Sequence, residues 1–262
     1  MKTSKGSISR FFAYFLTFST FAFLYIPIVI LVVFSFNTKK FPSPWDSFTL
    51  RWYKELFNSE ELWSSFFTSL IVSLVTTFLC LLLSTLLLYF RANGGKIKKA
   101  IPLFYGNLVI PESLFAISLL SYFTFFDVPL GFTTLIIAHT VLSLGFAIPI
   151  LYTRYQQLDK RLIEASLSLG ASSFQTFYRI ILPFLKPAMI ATALLVFILS
   201  FDDFILSYFT AGTNVQTLSL YLLSMLRTGI SPIINALSVF VLLLSSILIL
   251  FFFSPKIRNK AF

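Results

Sequence analysis

FFTSLIVSLVTTFLCLLLSTLLLYF, residues Phe66 to Phe90, runs without a charged side chain. At about 1.5 Å of rise per helical residue it is long enough to cross a hydrocarbon core of about 30 Å. Five further apolar runs of spanning length lie outward from it: Phe11 to Phe36, Ile101 to Phe126, Leu130 to Leu151, Ala188 to Phe209 and Ile233 to Phe253. The expected fold class is all-α integral membrane, with six transmembrane helices in one domain over residues 11–253. Six spans put both termini on one side of the bilayer, leaving short segments 1–10 and 254–262 beyond them.

Composition agrees with that reading. The chain has 262 residues, of which 57% are hydrophobic and 11% charged, with a mean hydropathy of +0.89. Thirty-four Phe beside ten acids cannot be hidden in one water-facing core, because a soluble surface needs far more charge. One Cys (Cys80) and one His (His139) exclude a disulfide framework and a Cys/His zinc cluster made by this chain alone. Cys80 sits in an apolar run and reads as inert packing. The first run comes after Lys2, Lys5 and Arg10 in the manner of a signal peptide, but it is too long and has no small-residue cleavage site after it; it reads as an uncleaved helix.

The net charge of +10 is topology rather than nucleic-acid affinity. One side of the bilayer carries Lys2, Lys5 and Arg10, then Arg91, Lys96, Lys98 and Lys99, then Arg154, Lys160, Arg161, Arg179 and Lys186, and finally Lys256, Arg258 and Lys260. That side is expected to be cytoplasmic. The opposite side holds Lys39, Lys40, Arg51, Lys54 and Arg227, offset by Asp46, Glu55, Glu60 and Glu61. Its first loop, Asn37 to Ser65, contains Pro42, Pro44, Trp45, Trp52 and Trp63, and tryptophan is at home at a membrane interface.

The cytoplasmic loop, Thr153 to Lys186, contains DKRLIEASLSLGASSFQTFYRIILPFLKP. Leu158, Leu162, Ile163 and Leu169 make an apolar stripe, stopped by Gly170 where a left-handed residue is wanted. Ser172 with Gln175 has capping-box spacing for a second helix, and Pro183 and Pro187 are expected to end or bend the chain beyond it. Ala165 and Ser166 beside Gly170 leave a small-residue surface onto which another protein could close, which suits docking rather than chemistry.

Acids inside the spans are the second signal. The spans hold no Lys or Arg but do hold Asp202, Asp203 and Glu112. A charged Asp at mid-membrane costs roughly 2.5 to 3.5 kcal/mol on insertion scales, so these need a cation or protons. On one continuous helix Ser200, Asp202 and Asp203 would share a polar sector facing a central path. Glu112 comes directly after Pro111, whose missing N–H weakens the helix and could aim the carboxylate into a cavity; bonding to Ser113 or freed backbone groups is the alternative. His139 reads as a histidine bonded to a neighbouring helix, with a proton relay as the alternative. No Gly-rich phosphate loop and no nucleophile–base arrangement is present, so the chain is not expected to be an enzyme.

The loop resembles the signature of the membrane subunits of ATP-binding-cassette importers: Glu-Ala-Ala, three residues, Gly, nine residues, Ile-x-Leu-Pro. Glu164, Ala165, Ser166, Gly170, Ile180, Leu182 and Pro183 fall at those spacings, with Ser166 the one departure. YIPIVILVVFSFN at Tyr25 to Asn37, RWY at Arg51 to Tyr53 and PESLFAISLL at Pro111 to Leu120 extend the likeness. LSFDDFILSYFTAG at Leu199 to Gly212 and SPIINA at Ser231 to Ala236 complete it. Over nearly the whole chain these passages are similar to the PotC-like permease subunits of spermidine/putrescine importers.

The resemblance implies a type I importer permease of MetI-like fold in the cell inner membrane. It implies a homologous second permease, a cytoplasmic ATPase dimer with ATP and Mg²⁺ on it, an extracytoplasmic polyamine-binding protein, and no cofactor in this chain. It further implies a substrate path using Glu112, Ser200, Asp202, Asp203 and Trp45, and an ATPase-coupling element at the signature residues. Glu112 stands where an Asp is expected in close relatives. Spaced carboxylates and aromatic faces suit a polyamine, whose ammonium groups are separated by methylenes. An ion-coupled secondary transporter using Asp202 and Asp203 would leave the coupling signature idle, and no inverted repeat supports it. An assembly subunit without a path would leave the buried acids unexplained, and import of another small cation is the remaining alternative.

Overall fold

In the computed structural model the described residues are 4–39, 43–97, 100–228 and 232–252. Lys2, Lys40, Pro42, Lys98, Lys99, Ser231, Phe253 and the segment 254–262 with Lys256, Arg258 and Lys260 lie outside them. In chain order the helices are α1 (Ser4–Phe34), α2 (Arg51–Asn58), α3 (Glu60–Ala92), α4 (Ile101–Val109), α5 (Glu112–Phe125), α6 (Phe132–Gln156), α7 (Lys160–Ser168), α8 (Ser173–Thr176), α9 (Leu182–Phe201), α10 (Ile205–Thr210), α11 (Leu218–Thr228) and α12 (Pro232–Phe252). Among the described residues there is no strand, only an isolated bridge between Asn37 and Phe48. Among the described residues four helical stretches are long and apolar enough to span, five if the bent pair α4–α5 counts as one, and α12 lies on the sixth apolar run.

The chain divides into two compact units, Met1–Glu60 with Leu222–Phe262, and Glu61–Tyr221. In the first, α12 packs on α1 and α2. Its loop is tied by Asn37, which is fully buried: its carbonyl accepts from Trp52 Nε1 at 2.7 Å, its side-chain oxygen accepts from the Asp46 amide at 2.9 Å, and its Nδ2 donates to Pro44. Ser35 and Tyr53 share a hydroxyl bond of 2.8 Å, and Phe36 stacks on Phe48. Lys39, 3.0 Å from Asp46, together with Thr38 holds that carboxyl below its ordinary range. The three tryptophans of the loop differ in burial: Trp52 is a buried strut, Trp63 is half-buried and Trp45 is half-exposed.

In the second unit α6 is the hub. It is 61% buried over its span, because Ala138, Ser143, Gly145 and Ala147 let neighbouring backbones approach. It packs on α9 and α4, and layers of core from Val72 with Leu135, through Cys80 with Ala147 and Val196, to Leu88 with Leu151 and Ile181, run along it. Cys80 is fully buried and donates to the Thr140 carbonyl. At the α4–α6 crossing Asn107 Nδ2 donates to the Val141 carbonyl at 2.9 Å, and a Cβ on Gly145 would come within 2.5 Å of the Asn107 Cβ.

Two expected continuous spans are broken. The third is α4 and α5, bent by 113° at Ile110–Pro111, where both residues are extended and Pro111 has no N–H to continue the ladder. The fifth stops at Phe201 and resumes as α10. Pro183 and Pro187, expected to end or bend a helix, are instead carried within one helical course from Ser173 to Phe201. A π-helical turn at Phe177–Ile181 directly before Pro183 absorbs the misfit, with the Leu182 N–H reaching the Phe177 carbonyl.

Candidate functional site: paired helix breaks and an exposed hairpin

An interrupted helix at membrane depth leaves backbone groups that only protein can satisfy. At the second break this is the task of Asp203. Its carboxylate accepts from the amides of Leu206 (3.2 Å) and Ser207 (3.1 Å), closing the first turn of α10. Its backbone carbonyl accepts from the hydroxyls of Ser207 (3.1 Å) and Ser219 (2.9 Å). From α6, His139 places Nδ1 2.8 Å from Ser200 Oγ and Nε2 3.3 Å from Ser207 Oγ and 3.5 Å from Asp203 Oδ2. A ring protonated at Nε2 points its N–H at the carboxylate while Nδ1 accepts from Ser200. Thr134, also on α6, donates to the Thr210 carbonyl at the far end of α10.

The expected sector of Ser200, Asp202 and Asp203 on one helix does not exist, because the helix ends between the first residue and the other two. Ser200 is buried and bound to His139. The Asp203 side chain is 4% exposed and Asp202 is exposed. The two adjacent acids are thus separated in environment by the break itself. Glu112, first residue of α5 at the other break, is exposed and brings its carboxyl within hydrogen-bonding reach of Asp203. α5 packs on α10, so the two breaks meet and bring Glu112 to Asp203, with Asp202 exposed next to it in the chain. Trp45 belongs to the other unit.

Sequence reasoning missed Ser207 and Ser219, whose hydroxyls support Asp203, and the Asn107–Gly145 crossing. Ser207 had a readable sign, lying four residues after Asp203; the others carry none. His139 is found bonded to the neighbouring helix, as expected.

The signature residues form a helical hairpin. Asp159 caps α7 through the Arg161 amide at 2.9 Å. At its end Gly170 adopts φ +84°, with Gly170 N–H on the Leu167 carbonyl and Ala171 N–H on that of Ser166, the pairing of a Schellman motif. Ser172 and Gln175 exchange both capping-box bonds, at 3.2 and 2.9 Å. Ser166, the departure from the signature, is used: its hydroxyl bonds that of Thr176 at 2.9 Å and pins α7 to α8. The expected apolar stripe divides. Leu158 is buried and Ile163 packs partly on the core, whereas Leu162 is 52% and Leu169 88% exposed, and no α7 residue is buried. Glu164 and Ala165 are exposed beside them, while Ile180 and Leu182 are half-buried and Pro183 is exposed.

Comparison with known proteins gives this geometry a context. Residues 99–259, which contain both breaks and the hairpin, match the family described as binding-protein-dependent transport system inner membrane component. The spermidine/putrescine transport system permease protein PotC of Escherichia coli (strain K12) is 37% identical over 237 residues, covering 88% of each chain. PotC of Haemophilus influenzae is 33% identical over 88% of this chain and 91% of its own, and the putrescine transport system permease protein PotI of E. coli K12 is 30% identical over 85% and 82%. In fold the chain is similar to a chain of a bacterial ABC transporter involved in the import of the acidic polysaccharide alginate, with a TM-score of 0.63 over 94% of this chain and 95% of that one at 18% identity. The chain belongs to the family of inner-membrane components of binding-protein-dependent transport systems, as a non-catalytic permease subunit.

Proposed function

We propose that this permease subunit imports polyamines, spermidine or putrescine, in an ATP-driven complex. A homologous second permease, two copies of a cytoplasmic ATPase carrying ATP and Mg²⁺, and an extracytoplasmic binding protein complete the machine. The observation that carries the reading is the meeting of two helix breaks with Glu112 beside Asp203 and Asp202 exposed at the second break, in a chain whose relatives bear spermidine and putrescine in their names. Asp202 and Glu112 supply exposed carboxylates for ammonium groups, and Asp203 holds the break that presents them. Trp45 serves the same path from the outer loop, and Ser200 acts on it through His139.

The hairpin couples the path to ATP. With the termini and the Thr153 to Lys186 loop cytoplasmic, Leu162, Leu169 and Glu164 enter a cleft of the ATPase, and closure of the ATPase pair moves the hairpin. Gly170, Ala165 and Ser166 set its shape, while Ile180, Leu182 and Pro183 root it in the start of the fifth span. In reconstituted vesicles uptake then stops with a hydrolysis-dead ATPase and continues when ion gradients are collapsed. Uptake that tracks the gradient and ignores the ATPase contradicts the proposal.

A further inference from the structure

Beside these breaks, at the end of the second unit where α3 and α6 begin, lies a cavity of about 660 Å³. Glu61, Ser64 and Thr68, at i, i+3 and i+7, present one face of α3 to it. Phe132 opens α6 on another wall, and Tyr208 of α10 and Asn214 of the following loop complete it. In a chain with twice as many basic as acidic residues, the cavity is lined, among the described residues, by one acid and by no Lys or Arg. Among the described residues the Glu61 side chain has no hydrogen-bond or ion-pair partner. Asn214 Oδ1 already accepts from Thr213, so the carboxylate is the free strong acceptor of the cavity.

One wall of the cavity is in ring contact with the second break. Tyr208 lies 5.7 Å from Phe204, the residue after Asp203. One carboxylate flanked by aromatic faces and hydroxyls is the donor set for a primary ammonium: charge-assisted hydrogen bonds to the acid, ring faces for the cation and the methylenes beside it. We propose that this cavity is an outer subsite for an amine, separate from the carboxyls at the breaks. Glu61 holds one ammonium of the cation there, and the Tyr208–Phe204 rings lead it to Asp202 and Glu112. The inference rests on the polyamine reading and adds a station to it. A substrate with several ammonium groups benefits from two stations, because engaging the first raises the effective concentration of the next amine at the second.

The test uses the complete transporter in lipid without its binding protein, carrying Ser64→Cys in this subunit. The natural Cys80 is fully buried, so modification is read as a mass shift of this chain. Thiol-specific reagents of matched size bearing a trimethylammonium or a sulfonate are compared after correction for their reactivity toward a small thiol. The expected result is modification about five- to tenfold faster by the cation. Spermidine or putrescine slows that reaction, Glu61→Gln abolishes the preference and Glu61→Asp retains it. Equal rates for the two reagents, a preference that survives Glu61→Gln, or an unreactive Ser64→Cys thiol overturns the subsite. When the binding protein is then added in a second arm, protection by it with none by free amine overturns the amine as occupant in favour of a docking loop. Amine-stimulated ATP hydrolysis is measured in parallel. If it persists while Glu61→Gln leaves the half-saturating amine concentration unchanged, the subsite falls and the transport function stands; if wild-type hydrolysis ignores amines, the polyamine reading itself falls.

Discussion

His139 Nε2 lies 3.5 Å from Asp203 Oδ2, with the two side chains 1% and 4% exposed. The contact ties the first third of α6, the hub of the second unit, to the carboxylate that rebuilds the backbone after the fifth span breaks. His139→Ala removes the ring from Asp203, Ser200 and Ser207 together. The expected cost is about 1–3 kcal/mol of stability from polar groups left unpaired, read as earlier thermal unfolding of the purified complex. His139→Gln, which restores a donor, is expected to recover part of it; equal loss in both variants contradicts the polar role.

The adjacent acids are expected to behave differently. Asp203 accepts two backbone N–H bonds, whereas Asp202 is exposed. Asp203→Asn presents an amide N–H to one of those donors and is expected to abolish transport and also to destabilise the chain by about 1–3 kcal/mol, while still allowing assembly. Asp202→Asn is expected to lose transport with thermal stability unchanged. Matching stability losses at the two positions contradict the separation.

The crossing of α4 and α6 depends on the absence of a side chain at Gly145. Gly145→Ala drives a methyl into Asn107, and a shift costing about 1–3 kcal/mol is expected. Asn107→Ala in the same chain relieves only part of the clash, because the contact is to the Asn107 Cβ and the bond to Val141 is lost as well. Unfolding curves of the single and double variants measure this; a fully additive double variant contradicts the contact.

At the hairpin, Leu169 is 88% exposed in this chain and docks in the proposed complex. Leu169→Asp is expected to leave the fold intact while reducing recovery of the ATPase with the permease at least tenfold. Gly170→Ala meets no atom within 4 Å, so its effect is the strain of φ +84°, about 1 kcal/mol, on hairpin shape alone. Retention of the ATPase by Leu169→Asp contradicts docking through this face.

Much of this was legible in the sequence, and the exceptions have physical causes. Apolar length marks the spans because hydrocarbon accepts little else, and the capping box at Ser172 and the left-handed Gly170 are local rules that tertiary context did not override. Pro111 announced a weak point, but a 113° bend between α4 and α5 is decided by packing on α6 and α10. The second break has no Pro or Gly at all. Its sign was the acid pair, whose side chains compete with the helix for backbone N–H groups, a competition that two adjacent carboxylates make hard to distinguish from a ligand site. Pro183 misled in the other direction, since the π turn before it lets the helix continue. Trp52 was indistinguishable from an interfacial tryptophan until its N–H was found on the Asn37 carbonyl.

The most direct measurement is ATP hydrolysis by the reconstituted complex with its binding protein, titrated with spermidine and putrescine, for wild type and Asp202→Asn. Stimulation by amine in the wild type, lost in Asp202→Asn with assembly preserved, is the predicted result. Hydrolysis that is indifferent to amines in both proteins would contradict the assignment of the helix-break carboxylates to a polyamine path.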